Sequence, residues 1–200
     1  MTNGLEKENT KKLFSLKHKM TTRDICLLAL CVVINYVGGN IALTLRLPIY
    51  LDAVGTILAA ALLGPLCGMI PGIAGGLIMG LTTDIFSLYY MPVQLIIGFT
   101  AGILYNAGFM EGVKKIWAAV LLTIPGTIVS SIITVVLFGG MTSSGSSLIV
   151  MLFAKIGLPL NISVVLVQFV TDYADRLCAV FLVAACLAAI PKGVLADGTI

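Results

Sequence analysis

The chain has 200 residues, of which 59% are hydrophobic and 10% charged, with a formal net charge of +3. That balance excludes an ordinary soluble domain and fits a single domain embedded in lipid. The lipid bilayer is an expected partner and nucleic acid is not. The sole histidine, His18, lies in a polar head, and Cys26, Cys31, Cys67, Cys178 and Cys186 lie in apolar runs without Cys-x-x-Cys spacing. Neither a zinc site nor a disulfide framework is expected, and no cofactor.

Residues 1–24 hold Lys7, Lys11, Lys12, Lys17, Lys19 and Arg23 against Glu6, Glu8 and Asp24, and read as a basic cytoplasmic segment. A membrane domain over 25–192 and a cytoplasmic tail over 193–200 follow. The apolar run 25–45 is longer than a signal-peptide core and has no small-residue cleavage site after it, so it is expected to be retained. A spanning helix needs about 20 apolar residues. Six candidates emerge at 25–45, 48–64, 66–81, 92–108, 116–138 and 162–190, which makes the fold class all-α, an integral membrane bundle of six helices. The second and third are short, and the Gly64-Pro65 pair between them reads as a tight turn. The apolar stretch 146–157 contains Lys155 and is followed by Pro159, so it reads as a short helix on or in an outer loop.

Lysine and arginine set the orientation. With the N-terminus inside, cytoplasmic segments carry the six head residues plus Lys114, Lys115 and Lys192, whereas outer loops carry only Arg46 and Lys155. Six spans with both termini cytoplasmic satisfy the positive-inside rule. Glycines recur at every fourth position of the third span, Gly68, Gly72, Gly76 and Gly80, and again at Gly98 and Gly102. Small residues at that spacing let helix backbones approach in lipid, either within the chain or against another subunit.

The sixth span contains VTDYADRLCAV, 170–180, where charge is costly. On a 3.6-residue period Asn161, Gln168, Asp172, Asp175 and Arg176 share one stripe from the outer end to mid-membrane, below which the helix is apolar. Each such charge costs on the order of 3 kcal/mol and normally faces a bundle interior or a wet cavity. Asp172 and Arg176 are spaced to pair along the helix. Asp175 is then left to meet Arg46 or a ligand donor. The charges read either as a buried ion-pair network locking the helix to its neighbours or as part of a ligand site. Arg46, Tyr50 and Asp52 flank the first outer loop; Thr82, Thr83, Asp84, Tyr89 and Tyr90 make the second; Gln94 follows; and Ser143, Ser144, Ser146 and Ser147 make the third. Their convergence on one face suggests a site there. The expected substrate-binding residues are Arg46, Tyr50, Asp52, Tyr90, Gln94, Ser143, Ser144, Gln168, Asp172, Asp175 and Arg176. No phosphate-binding loop, nucleophile elbow or His-Glu-x-x-His motif is present, so the chain is not read as an enzyme and uphill transport needs an ion gradient or partner subunits.

The run PIYLDAVGTILAAALLGPLCGMIPGIAGGLIMGL, 48–81, resembles a segment of the substrate-binding S components of energy-coupling factor (ECF) transporters. There a proline and an aromatic precede L-D-x-x-G-T, and a G-P turn is followed by glycines. The loop TSSGSSLIV, 142–150, and the last-helix pattern D-Y-A-D-R, 172–176, are also similar to that family, in which a lysine often replaces the arginine. The resemblance covers about half of the chain. It implies six helices in a bacterial cell membrane, termini inside, and a vitamin-sized nutrient bound near the outer surface. Partners would be a transmembrane coupling subunit and two cytoplasmic ATPases. Many members carry A-x-x-x-A on the first helix for the coupling subunit, but here Ala29 is followed at four residues by Val33. Docking is accordingly expected on Ala29, Gly38 and Ala42, or on the glycine face through Gly72 and Gly76. Two other classes compete: an autonomous secondary transporter using Asp172 and Asp175, for which no internal repeat is found, and a membrane enzyme using the same pair as acid and base, for which no nucleophile or metal motif is found.

Overall fold

The computed structural model describes residues 20–110 and 112–189; the basic residues before 20, Lys192 and the tail 193–200 lie outside the described residues. The first helix, α1 (Thr22–Thr44), starts three residues earlier than expected because Thr21 caps it. The Thr21 hydroxyl accepts from the Asp24 N–H at 3.3 Å, and the Asp24 carboxylate accepts from the Thr21 N–H at 2.8 Å. This reciprocal capping box satisfies two of the donors a helix start leaves open. Asp24, assigned from the sequence to the polar head, is a buried residue of the first turn.

The second helix is shorter than the run expected over 48–64. Residues 45–53 form a loop in which Arg46 and Leu51 take left-handed φ values of 51° and 52°, and α2 runs only from Val54 to Leu63. Ten residues at 1.5 Å each reach about 15 Å, half the hydrocarbon thickness of a bilayer. Every residue from 54 to 61 is buried. A helix apolar on all sides has to be enclosed on all sides, and α2 packs against α1, α3 (Pro65–Thr82), α5 (Met91–Asn106) and α8 (Leu160–Ala189). The turn into α3 is made by Gly64 at φ 88°, which favours glycine, with Pro65 opening the next helix where its missing N–H costs nothing.

The remaining elements are a single turn, α4 (Phe86–Tyr89), then α6 (Lys114–Phe138) and α7 (Ser146–Lys155). Among the described residues all regular structure is helical. By length and composition α1, α3 and α6 are able to cross a membrane. Large apolar side chains such as Leu30, Trp117, Ile128 and Val136 are exposed on the outer faces, a surface suited to lipid. The short helix expected over 146–157 is α7, which packs on α8 through Val150, Val164 and Val167.

Close backbone approach uses most of the residues expected to dock a partner. A side chain at Gly72 would meet Gln94 and Thr56, one at Gly76 would meet Met91 and the Ser87 carbonyl, and one at Gly38 would meet the Leu51 carbonyl. Ala42 is buried at 2% exposure. Gly72 and Ala42 are buried against the chain's own atoms, Gly38 and Gly76 are half-buried, and Ala29 is exposed. The glycine face is an internal packing surface between α3 and its neighbours.

Candidate functional site

Three loops meet at the end of the bundle where α1, α3 and α6 finish. The Gly145 N–H donates to the Leu47 carbonyl at 3.3 Å, and the Ser143 hydroxyl donates to Asp84 at 2.7 Å. Asp84 also accepts from the Phe86 N–H and the Ser87 hydroxyl, so its carboxylate is spent on holding the second loop to the third. Tyr50 and Tyr90 stand with ring centroids 6.5 Å apart, and Phe138 packs beside Tyr90, Tyr89 and Phe86.

Beneath this cover lies a polar cavity of about 50 Å³, lined by Tyr50, Asp52, Asp84, Ser87, Tyr90, Val93, Gln94, Ser130, Ser146, Gln168, Thr171, Asp172 and Arg176. That is room for about two waters. Its floor is Arg176, below which α2, α5, α6 and α8 close an apolar core around Ile57, Ile97, Leu122, Val180 and Val183.

Helix α6 supplies a row of hydroxyls to the charged stripe on α8. Thr127 and Ser130 donate to Asp172 Oδ2 at 2.7 and 3.3 Å; Ser131 donates to Gln168 Oε1 at 2.7 Å; and Gln168 Nε2 donates to Thr134 at 2.6 Å. Tyr90 and Thr134 share a further hydroxyl pair. Positions 127, 130, 131 and 134 fall on one helical face, a small-hydroxyl pattern that was legible in the sequence but was not read.

The ion pair is not the one expected from spacing. Arg176 Nη1 donates to Asp175 Oδ2 at 2.6 Å, and Asp175 Oδ1 accepts the Leu51 N–H at 2.8 Å. Asp172 is met instead by the α6 hydroxyls. Arg46 is exposed and its side chain takes no part in the cluster. Asp175 therefore acts structurally, tying the first loop to α8. Asn161, the outermost member of the stripe, lines a separate apolar groove between α6 and α8 and faces away from the polar cavity.

A second network, centred on buried Asn35 of α1, fixes the Asp52 loop. Its Oδ1 accepts the Gly55 and Thr56 N–H groups at 2.7 and 3.3 Å, while Nδ2 donates to the Thr56 hydroxyl at 2.8 Å. Thr56 donates to Gln94 Oε1 at 3.3 Å, and Gln94 Nε2 reaches the Asp52 carbonyl at 3.4 Å. The N-cap of α2, Ala53, has no side chain able to cap. Asn35 does that work from a neighbouring helix. Replacing Asn35 by alanine leaves buried N–H groups unpaired, which costs about 1–3 kcal/mol. Denaturation in detergent measures the loss, and an unchanged midpoint would mean that water replaces the amide.

Of the residues expected to bind substrate, Tyr50, Asp52, Tyr90, Gln94, Gln168, Asp172 and Arg176 line the cavity. Asp175 sits behind Arg176. Ser143 belongs to the cover, and Ser144 is buried in the third loop, accepting from the Ser146 N–H and hydroxyl. Burial pushes the Asp52 carboxyl up to about 6, against the pull of the Arg176 guanidinium. Among the described residues no group of three His, Cys, Asp or Glu side chains is placed to hold a metal ion. The arrangement offers charge, hydrogen bonds and aromatic walls to a bound molecule.

Comparison of the chain with protein families, curated proteins and solved structures finds no match.

Proposed function

We propose that the chain is the membrane-embedded binding subunit of a nutrient uptake system, capturing a small vitamin-like or micronutrient molecule at the outer face and relying on partner ATPase subunits for energy. The observation carrying this reading is the polar cavity at the loop end of an otherwise apolar bundle, with a solid apolar core beneath it. In this reading α1, α3, α5, α6 and α8 each cross the membrane of a multi-pass cell-membrane protein, and the loop 45–53 together with the short α2 makes the sixth crossing. Both termini face the cytoplasm, in line with the lysine and arginine distribution. The resemblance of 48–81 and 172–176 to ECF S components supplies the partners, a transmembrane coupling subunit and two ATPases. Vitamin-sized ligands occupy pockets of about 300 Å³ or more, so entry requires the loops joined by the Ser143–Asp84 and Gly145–Leu47 hydrogen bonds to part.

One observation favours a second reading. A cavity of about 50 Å³ holding Asp52 and Asp172 has the size and charge of a cation site in an autonomous secondary transporter. Proteoliposomes separate the two. Solute recovered from the purified protein and identified by mass spectrometry is offered to vesicles holding the chain alone or with a coupling subunit and ATPases. Uptake that needs ATP and partners supports our reading. Uptake by the chain alone under an ion gradient rejects it.

A further inference from the structure

We infer that the cavity is built for a small organic cation, an ammonium compound that also carries an acceptor oxygen. The inference rests on the binding-subunit reading and narrows its substrate class. Four carboxylates, Asp52, Asp84, Asp172 and Asp175, stand in or directly behind the cavity wall against one guanidinium, Arg176, and that guanidinium is already paired with Asp175. Asp84 is saturated by three donors. Both hydrogen bonds to Asp172 end on Oδ2, leaving Oδ1 for a ligand. The excess negative charge therefore falls to Asp52 and Asp172, with the Tyr50 and Tyr90 rings alongside, a setting that attracts a cation through both charge and ring faces.

The acceptor oxygen follows from Arg176. The residue is 6% exposed, and of its five N–H donors only one, on Nη1, finds a protein acceptor. No fully enclosed side-chain nitrogen or oxygen among the described residues lacks a partner, so the remaining donors open onto the cavity. A buried guanidinium with free donors facing a cavity calls for an acceptor supplied from outside the chain.

The purified chain in detergent is heated with ethanolamine, and separately with 1-propanol, propionate and propylamine, each at about 50 mM, which registers any affinity in the millimolar range. Ethanolamine is protonated at neutral pH and should raise Tm. Its neutral isostere propanol and the anion propionate should not, and propylamine, lacking the oxygen, should act more weakly. In Asp172→Asn the affinity for ethanolamine should fall about 10- to 100-fold, and Asp52→Asn provides the same test should the first variant fold poorly. Equal stabilisation by propanol, stabilisation by propionate, or no response to ethanolamine overturns the inference, and an equal response to propylamine overturns the Arg176 contact. The outcome is separable from the transport reading. Ammonium binding with uptake by the chain alone keeps the cation and rejects the partner-driven mechanism. Partner-driven uptake of an anion does the opposite.

Discussion

Replacing Asp175 by alanine should lower the unfolding free energy of the chain in detergent by about 3–5 kcal/mol. The carboxylate is buried, accepts the Leu51 N–H at 2.8 Å and pairs with Arg176 at 2.6 Å. Its removal leaves an enclosed guanidinium without its counter-charge and frees the loop that carries Tyr50 and Asp52. Breaking one half of a buried pair is far more costly than replacing both halves by apolar groups of similar shape. The double variant Asp175→Leu with Arg176→Met should therefore recover most of the lost stability while remaining unable to bind ligand. Urea or thermal denaturation of the single and double variants measures both. A single variant as stable as the parent would show that the pair does not hold the loop. Asp172→Asn should behave in the opposite way, with modest destabilisation and a large loss of affinity, because its hydrogen bonds come from hydroxyls of α6, which an amide oxygen also accepts.

The second large effect is expected at Gly98. A Cβ placed there would lie 2.6 Å from the Gly68 carbonyl oxygen, 2.7 Å from its carbon and 2.9 Å from the Met69 nitrogen, all backbone atoms of α3. Backbone cannot rotate aside as a side chain can, so Gly98→Val must push α5 away from α3, the most extensive helix pair in the molecule. Overpacking in a core costs about 1–3 kcal/mol and more where nothing can yield, which places this substitution at or above the top of that range. Gly126 provides the control. Its nearest neighbour would be an Ile97 carbon at 3.7 Å, and Gly126→Ala should express and melt like the parent. Similar melting of both variants would mean that α3 and α5 are not packed this closely.

The helices were legible wherever apolar runs were long. Residues 25–45 and 116–138 differ from α1 and α6 by a few terminal residues, the run from 162 falls within α8, and a short helix stands where one is expected over 146–157. The exception was α2. Its lead-in, Pro48-Ile49-Tyr50-Leu51, carries no charge to set it apart from the helix, and hydropathy does not register the left-handed turns at Arg46 and Leu51 that make it a loop. At the site, the polar residues of the three loops were readable because they are anomalous in an apolar chain. Their partners were harder to assign. Helical spacing pointed to an Asp172–Arg176 pair, but hydroxyls from a helix about 45 residues away in sequence capture Asp172, and Arg176 turns to its immediate neighbour. Asn35 was overlooked because one amide within a long apolar helix looks unremarkable until the uncapped start of α2 is seen beside it.

The enclosed position of α2 sets an order on biogenesis. At about 15 Å it is too short to be threaded across the bilayer as an independent segment, and its first N–H groups need Asn35 from a helix made earlier in translation. It can enter only as half of a hairpin with α3, leaning on α1. Its wall toward α8 stays open until the ribosome has added roughly another hundred residues, because α8 begins at Leu160. Through most of synthesis the Asp52 loop thus has no Asp175 to bind. Chains stalled before α8 should therefore be more readily cleaved by proteases than the full chain, because the Asp52 loop lacks its anchor on Asp175.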